Sequence, residues 1–284
     1  MKRLNLKRPR KGAEQNNGQM TLVDHLRELR NRIVKMVIAI AIGAVVAYFF
    51  YDRIFKFLIN PYCDAVKGTK QTCQLYVPDL LSSGFLLHVK VASFAGLLVA
   101  LPVILWQLWR FIMPGLYKNE RKYAISFVAS STLLFACGAV LAYYTLPPML
   151  SWLADSSGPS GYTQFILNPA DYFYLVAALM IGFGIGFEFP LLLVALQIMG
   201  LLDNSSLRKY RRHAIVGITA AVAIITPGGD PISLLALSIP MCIFYELAII
   251  FGRVLNRRRG KRADGDDHED ETSESADAAG PSTS

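Results

Sequence analysis

The sequence predicts an all-α integral membrane protein with six transmembrane helices and both termini in the cytoplasm. Three observations carry this reading. Hydrophobic residues make up 53% of the chain and charged residues only 18%, with a mean hydropathy of +0.37, which is a polytopic membrane composition rather than that of a soluble domain. The charges cluster between six apolar segments. Lys and Arg are dense in every second connection, which is how short flanks set membrane orientation. The net charge of +8 therefore belongs to the flanks and gives no reason to expect nucleic acid as a partner.

Residues 1–19 (MKRLNLKRPRKGAEQNNGQ) form a basic arm without the apolar stretch of a cleaved signal peptide. The arm is expected to be disordered. Residues 20–253 form the membrane domain. It opens at 21–32 (TLVDHLRELRNR) with a short amphipathic helix. Thr21 suits an N-cap, and Asp24, three residues on, completes a capping box. Leu22, Leu26, Leu29 and Ile33 share one face at helical spacing, with Asp24 and Glu28 opposite. On local grounds Glu28 either pairs with Arg32 at i,i+4, worth roughly 0.2–0.5 kcal/mol, or receives a cation from elsewhere. Residues 254–284 are basic, then acidic, and lack large apolar side chains. They are expected to be a disordered charged tail.

The spans fall at about 33–51, 83–110, 123–146, 170–199, 213–227 and 231–252. Residues 1–35 hold ten Lys and Arg. The loops after spans 2 and 4 hold four each, and the segment after span 6 holds six. The opposite connections hold four after span 1, and Lys90 sits near the outer end of span 2. A straight span needs about 20 residues. Span 5 offers thirteen apolar ones (AIVGITAAVAIIT), roughly 20 Å of helix. Such a segment thins the bilayer or hides in protein. Span 4 is long and should tilt, and Pro240 should kink span 6.

Ionisable groups inside spans need a partner or an aqueous face. Glu188 lies mid-span in GFGIGFEFPLLL, beside Pro190. It reads either as the polar floor of a groove or as an interhelical hydrogen bond. Glycines 182, 184 and 186 permit close helix approach. Asp230 lies in the outer turn TPGGDP and alone reads as a turn or cap residue. Glu246 sits inside span 6. Cys137 and Cys242 read as small buried residues, whereas Cys63 and Cys73 share the first outer loop and are expected to form a disulfide. No catalytic, metal-ligand or phosphate-binding motif is present in the sequence. The chain is therefore not expected to be an enzyme or to hold a cofactor.

Together the segments resemble the TatC family, the multi-spanning subunit of the twin-arginine protein translocase. The resemblance covers roughly residues 20–253. It rests on VDHLRELR at 23–30, FIMPGLYKNERK at 111–122, FGIGFEFP at 183–190, TPGGDP at 226–231 and IPMCIFYE at 239–246. The outer-loop cysteine pair and long polar tail look like actinobacterial members.

The resemblance implies a concave helical receptor in the cytoplasmic membrane that binds signal peptides of folded cargo, with export driven by the proton-motive force. It implies that Glu28 and Glu120 receive the arginine pair, with Leu26, Leu29 and Arg30 from the amino-terminal motif and Phe111, Pro114, Leu116, Tyr117 and Arg121 from the loop motif. Glu188 matches the intramembrane glutamate of the family groove. Thr226, Pro227, Asp230 and Glu246 fall where TatA or TatB single-span helices bind, and Pro61 falls in the outer cap. Membrane lipids and further copies of the complex are the other implied partners. Family members often carry glutamine four residues after the outer-turn aspartate. This chain has Leu234 there, so Asp230 or Thr226 would supply a polar contact.

Carboxylates accept planar guanidinium forks in charge-assisted bonds about twice as strong as neutral ones, which lysine matches less well. Arg27, Arg30, Arg121 and Lys122 repel other basic segments. A small-solute transporter using Glu188 and Glu246 is the competing class. It predicts inverted repeats, and residues 33–146 and 170–252 show no convincing one. An intramembrane enzyme lacks a catalytic constellation.

Overall fold

A computed structural model of the chain describes residues 22–67, 73, 82–112, 121–156, 168–226 and 229–277. These form eight helices: α1 (Leu22–Phe49), α2 (Tyr51–Val66), α3 (Ser82–Ile112), α4 (Arg121–Ser156), α5 (Pro169–Ile198), α6 (Asn204–Lys209), α7 (Arg211–Ile225) and α8 (Pro231–Asp277). No strand occurs among the described residues. Five of the helices are long and apolar enough to cross a membrane: 26–49, 84–111, 125–156, 169–198 and 231–254. At 15 residues, or roughly 22 Å, α7 is the short element the sequence anticipates.

The amphipathic helix expected at 21–32 is not a separate element. With no glycine or proline between Leu22 and Gly43, nothing interrupts the helix, and it continues as α1 to Phe49. The leucine stripe is not the face it buries. Arg32, Gly43 and Ala47 are buried, while Leu26 and Ile33 are 63% and 45% exposed. In a bilayer the apolar stripe can face lipid, so the polar stripe turns toward protein.

That stripe packs on α3 in an antiparallel register. A Cβ on Gly96 would lie 2.3 Å from the Ala44 backbone nitrogen, and one on Gly43 would lie 2.7 Å from the Gly96 carbonyl oxygen. Both positions must lack a side chain for the helices to meet. Eleven residues before Gly43, Arg32 donates to the carbonyl of Gln107, eleven residues after Gly96, at 3.1 Å. Eight residues in the other direction, Tyr51 stacks on His88 with ring centroids 3.5 Å apart.

The short α2 covers the far end of the bundle. Pro61 lies in its interior and has no N–H to give the carbonyl of Phe57. The Tyr143 hydroxyl of α4 donates to that carbonyl at 2.9 Å instead. The neighbouring carbonyl of Leu58 accepts from the buried Tyr172 hydroxyl of α5 at 2.6 Å. Pro61 thus exposes an acceptor that docks α2 on the spans. Cys63 and Cys73 are joined by a disulfide, Cα to Cα 5.1 Å.

The most buried span is α5, and the core collects around its Tyr172, Val176, Leu179 and Phe183. It begins at Asn168, whose side chain accepts from the Ala170 N–H at 3.0 Å, with Pro169 next. It ends at Gly200, held at φ 74°, where the Leu202 N–H returns to the Leu196 carbonyl. Small residues bring its neighbours close. A Cβ on Gly138 of α4 would lie 2.7 Å from the Phe183 carbonyl, and Gly184 faces the Phe135 ring. Gly186 faces Leu237 of α8, with 3.3 Å left for a Cβ.

Two boundaries run past expectation. Instead of stopping near 146, α4 passes through Pro147 and Pro148 to Ser156. Ser151 Oγ bonds back to the Pro147 carbonyl at 3.0 Å, so the helix after the prolines carries a local side-chain bond. In place of the disordered tail expected from residue 254, α8 continues as helix to Asp277. No proline lies between Pro240 and Pro281 to interrupt it. The basic arm, residues 1–19, lies outside the described residues.

Candidate functional site

The amino-terminal carboxylate is built on the α1–α3 seam. Glu28 Oε1 accepts from Arg32 Nε at 3.2 Å and from Arg32 Nη2 in a close ion pair. Arg32 spends its third donor group on Gln107, and its guanidinium carbon lies 5.9 Å from the Phe111 ring centroid. The cation is 90% shielded while Glu28 keeps 35% of its side-chain surface. Arg32 thus straps the carboxylate to the last turns of α3, where the chain enters 113–120. Leu29 is half-buried, and Leu26 and Arg30 are exposed. The remaining expected members, Pro114, Leu116, Tyr117 and Glu120, lie outside the described residues, as do Thr21 and the side chains of Asp24 and Arg121.

Glu188 is tied into a buried chain that crosses three helices. Its Oε2 accepts from Ser131 Oγ of α4 at 2.5 Å, and Ser131 Oγ accepts from Trp109 Nε1 of α3 at 2.9 Å. Ser131 is fully buried and Trp109 is 4% exposed. Leu105 and Ala195 complete a separate small core around them, flanked by Phe127, Val128 and Leu191. Oε1 of Glu188 is also buried, with no hydrogen-bond partner among the described residues. Both readings of this glutamate thus hold part of the geometry: one oxygen makes the interhelical bond, the other does not. Ser131 and Trp109 carry no motif of their own, and sequence reasoning missed them.

The residues expected to bind partner helices occupy two places. At the outer turn Asp230 is wholly buried, and its Oδ2 accepts from the Ser233 N–H at 2.6 Å, capping α8. Asp230 Oδ1 and Ser233 Oγ have no partner among the described residues. Thr226 is buried beside them and returns its hydroxyl to the Val222 carbonyl at 2.8 Å. Gly229 adopts φ 64°, which closes the turn at little cost only for glycine. Leu234 packs against the core. Pro227 lies outside the described residues.

Glu246 is sixteen residues from Asp230, about 24 Å along the helix. It accepts from Arg211 Nε at 2.8 Å and from Arg211 Nη2 at the start of α7. These bonds push the guanidinium above its ordinary value. Nearby, the Tyr245 hydroxyl donates to the Leu207 carbonyl at 2.8 Å and Gln197 Nε2 to the Ala248 carbonyl at 3.2 Å. Glu246 therefore belongs to the clasp that holds α6, α7 and the end of α5 on α8, and the structure does not bring it to Thr226 and Asp230. The partner Arg211 was visible in the sequence only as one charge of a flank.

Comparison with known proteins gives a single answer. Residues 24–240 match the family model described as Sec-independent protein translocase protein (TatC). The chain is 39% identical over 269 residues to the Sec-independent protein translocase protein TatC of Frankia casuarinae, covering 90% of this chain and 73% of that one. It is 35% identical over 234 residues to the Deinococcus radiodurans protein of the same name, covering 82% and 86%. The fold matches a crystal structure of the twin arginine translocase receptor TatC with a TM-score of 0.65 and 33% identity, over 81% of this chain and 98% of that one. These relatives are components of a protein translocase, not enzymes. The chain is a multi-pass membrane protein and belongs to the TatC family of Sec-independent protein translocase proteins.

Proposed function

We propose that the chain is the signal-peptide receptor and core subunit of a twin-arginine translocase in the cytoplasmic membrane, exporting folded proteins on the proton-motive force. In this reading α7 is a sixth, short crossing and both termini are cytoplasmic. Supporting it, basic residues gather at the end of the bundle that carries Glu28, Arg110 and Arg211. The single observation that carries the reading is the strap at Glu28. A partly exposed carboxylate is pre-set by Arg32 against α3, just before the segment that contains Glu120. Glu28 already accepts a guanidinium, so its geometry suits a second one from an arginine pair. Glu120 takes the other. The apolar part of the signal lies along the groove near Glu188, and TatA or TatB helices dock at the outer turn by Thr226 and Asp230.

The test is photocrosslinking in membranes from a probe placed beside the arginine pair of a twin-arginine signal substrate, in wild type and in Glu28→Gln with Glu120→Gln. The double variant is expected to lose signal-dependent crosslinking. Export of a folded reporter at the wild-type rate by that variant would sink the docking assignment.

A further inference from the structure

At the end of α1 opposite Glu28, the spans leave a cavity of about 410 Å³. Its walls come from Gly43 and Ala47 of α1, Ile54 and Phe57 of α2, and Ala95 and Leu98 of α3. The same small residues that bring α1 against α3 leave the space beside the crossing. Among the described residues, Arg53 of α2 is the only charged one that lines it.

Arg53 is exposed and makes no ion pair or side-chain hydrogen bond among the described residues. Its carboxylate neighbours do not compete: Asp52 is exposed on the next position, and Asp64 is taken by Lys67. Phe50 and Phe57, 52% and 53% accessible, line the cavity with Arg53. A cation at a span end reaches the level of the lipid headgroups.

The lining decides what enters. Water finds almost no polar partner in such a lining and does not stay. A single acyl chain has no polar group to satisfy and needs none. The cation at the mouth then matches the phosphate to which that chain is attached.

We infer that this cavity is a binding site for one anionic phospholipid, with an acyl chain beside the Gly43–Gly96 crossing and its phosphate on Arg53. The lipid belongs to the leaflet faced by the α1–α2 junction. It fills the seam that positions α1.

Native mass spectrometry of the full chain in detergent tests this, with dioleoyl phosphatidylglycerol titrated against dioleoyl phosphatidylcholine. Wild type is expected to retain one phosphatidylglycerol in preference to phosphatidylcholine. Arg53→Gln should weaken that retention about fivefold, the equivalent of ~1 kcal/mol. Lys56→Gln, an exposed cation on the same helix outside the cavity, should change it less than about twofold. Ala47→Leu should remove it by filling the cavity. If Ala47→Leu does not fold, as judged by melting in phosphatidylcholine, the comparison of Arg53 with Lys56 still decides. No retained phosphatidylglycerol in wild type, equal losses in the two charge variants, or an unaffected Arg53→Gln would each overturn the site.

Discussion

Gly96→Ala tests the seam on which the amino-terminal site stands. The added Cβ would lie 2.3 Å from the Ala44 nitrogen, 2.6 Å from the Ala44 Cα and 2.8 Å from the Gly43 carbonyl carbon. All three are backbone atoms, so no side chain can swing aside. Relief to an ordinary 3.4 Å contact requires α1 and α3 to part by about 1 Å. Overpacking of this kind costs about 1–3 kcal/mol, and the parting also weakens dispersion contacts along the seam. Alanine's helix propensity returns up to ~1 kcal/mol, so the net loss is about 1–2 kcal/mol. At 2–4 °C per kcal/mol for a chain of this size, the melting temperature in detergent should fall by roughly 2–8 °C. Gly217→Ala is the matched control: nothing lies within 4 Å of its Cβ, so it should melt at or slightly above wild type. Gly96→Ala should also loosen the Arg32–Gln107 bond, which lies in register with the crossing, and so lower twin-arginine crosslinking beyond what melting predicts. Gly96→Ala melting with or above wild type would refute the close crossing and the register built on it.

Two further outcomes follow from the same coordinates. Reducing the Cys63–Cys73 bond, or replacing both with serine, releases a loop with a sequence separation of 10. That should cost about 2–3 kcal/mol, read as a lower melting temperature under dithiothreitol, and identical melts with and without reductant would contradict it. Ser131→Ala leaves both Glu188 Oε2 and Trp109 Nε1 without their partner. It should cost about 2–4 kcal/mol and couple strongly to Glu188→Gln in a double-mutant cycle, whereas additive effects would show that the chain is not a unit.

Much of the fold was legible because membrane spans are long apolar runs whose flanks carry orientation. The glycine positions around 184 and the short element before Pro231 were legible for the same reason. The buried face of α1 was not legible. Leu22, Leu26, Leu29 and Ile33 form a stripe that would point inward in a soluble protein. Here Leu26 and Ile33 stay exposed and Arg32 is buried, because lipid accepts the leucines and the protein must satisfy the charge. The polar partners of Glu188 and Glu246 were illegible for another reason. Ser131 and Arg211 lie 57 and 35 residues from the carboxylates they serve, and no spacing rule spans separate helices. The end of α4 was missed because Pro147 and Pro148 lie inside the helix, which a membrane span tolerates better than a soluble helix.

The acidic residues of the membrane domain differ chiefly in what already holds them, and this sorts their chemistry. Glu246 receives two donors of one guanidinium from a neighbouring helix. With side chains 45% and 35% exposed, the pair reads as a clasp between α7 and α8. Glu188 is held by a hydroxyl and an indole, both neutral, and its second oxygen lacks a partner among the described residues. Neutral donors orient a carboxyl without cancelling its charge, which leaves it able to take a polar group from a segment entering the groove. Asp230 is spent on the first turn of α8 through one oxygen, so any contact it offers a partner helix is made by a group that also caps its own. Glu28 combines a guanidinium already in place with 35% of its surface retained. That is the arrangement expected of a receptor for a second guanidinium. In the proposed docking, Arg32 supplies the orientation and an incoming arginine need not organise the site itself.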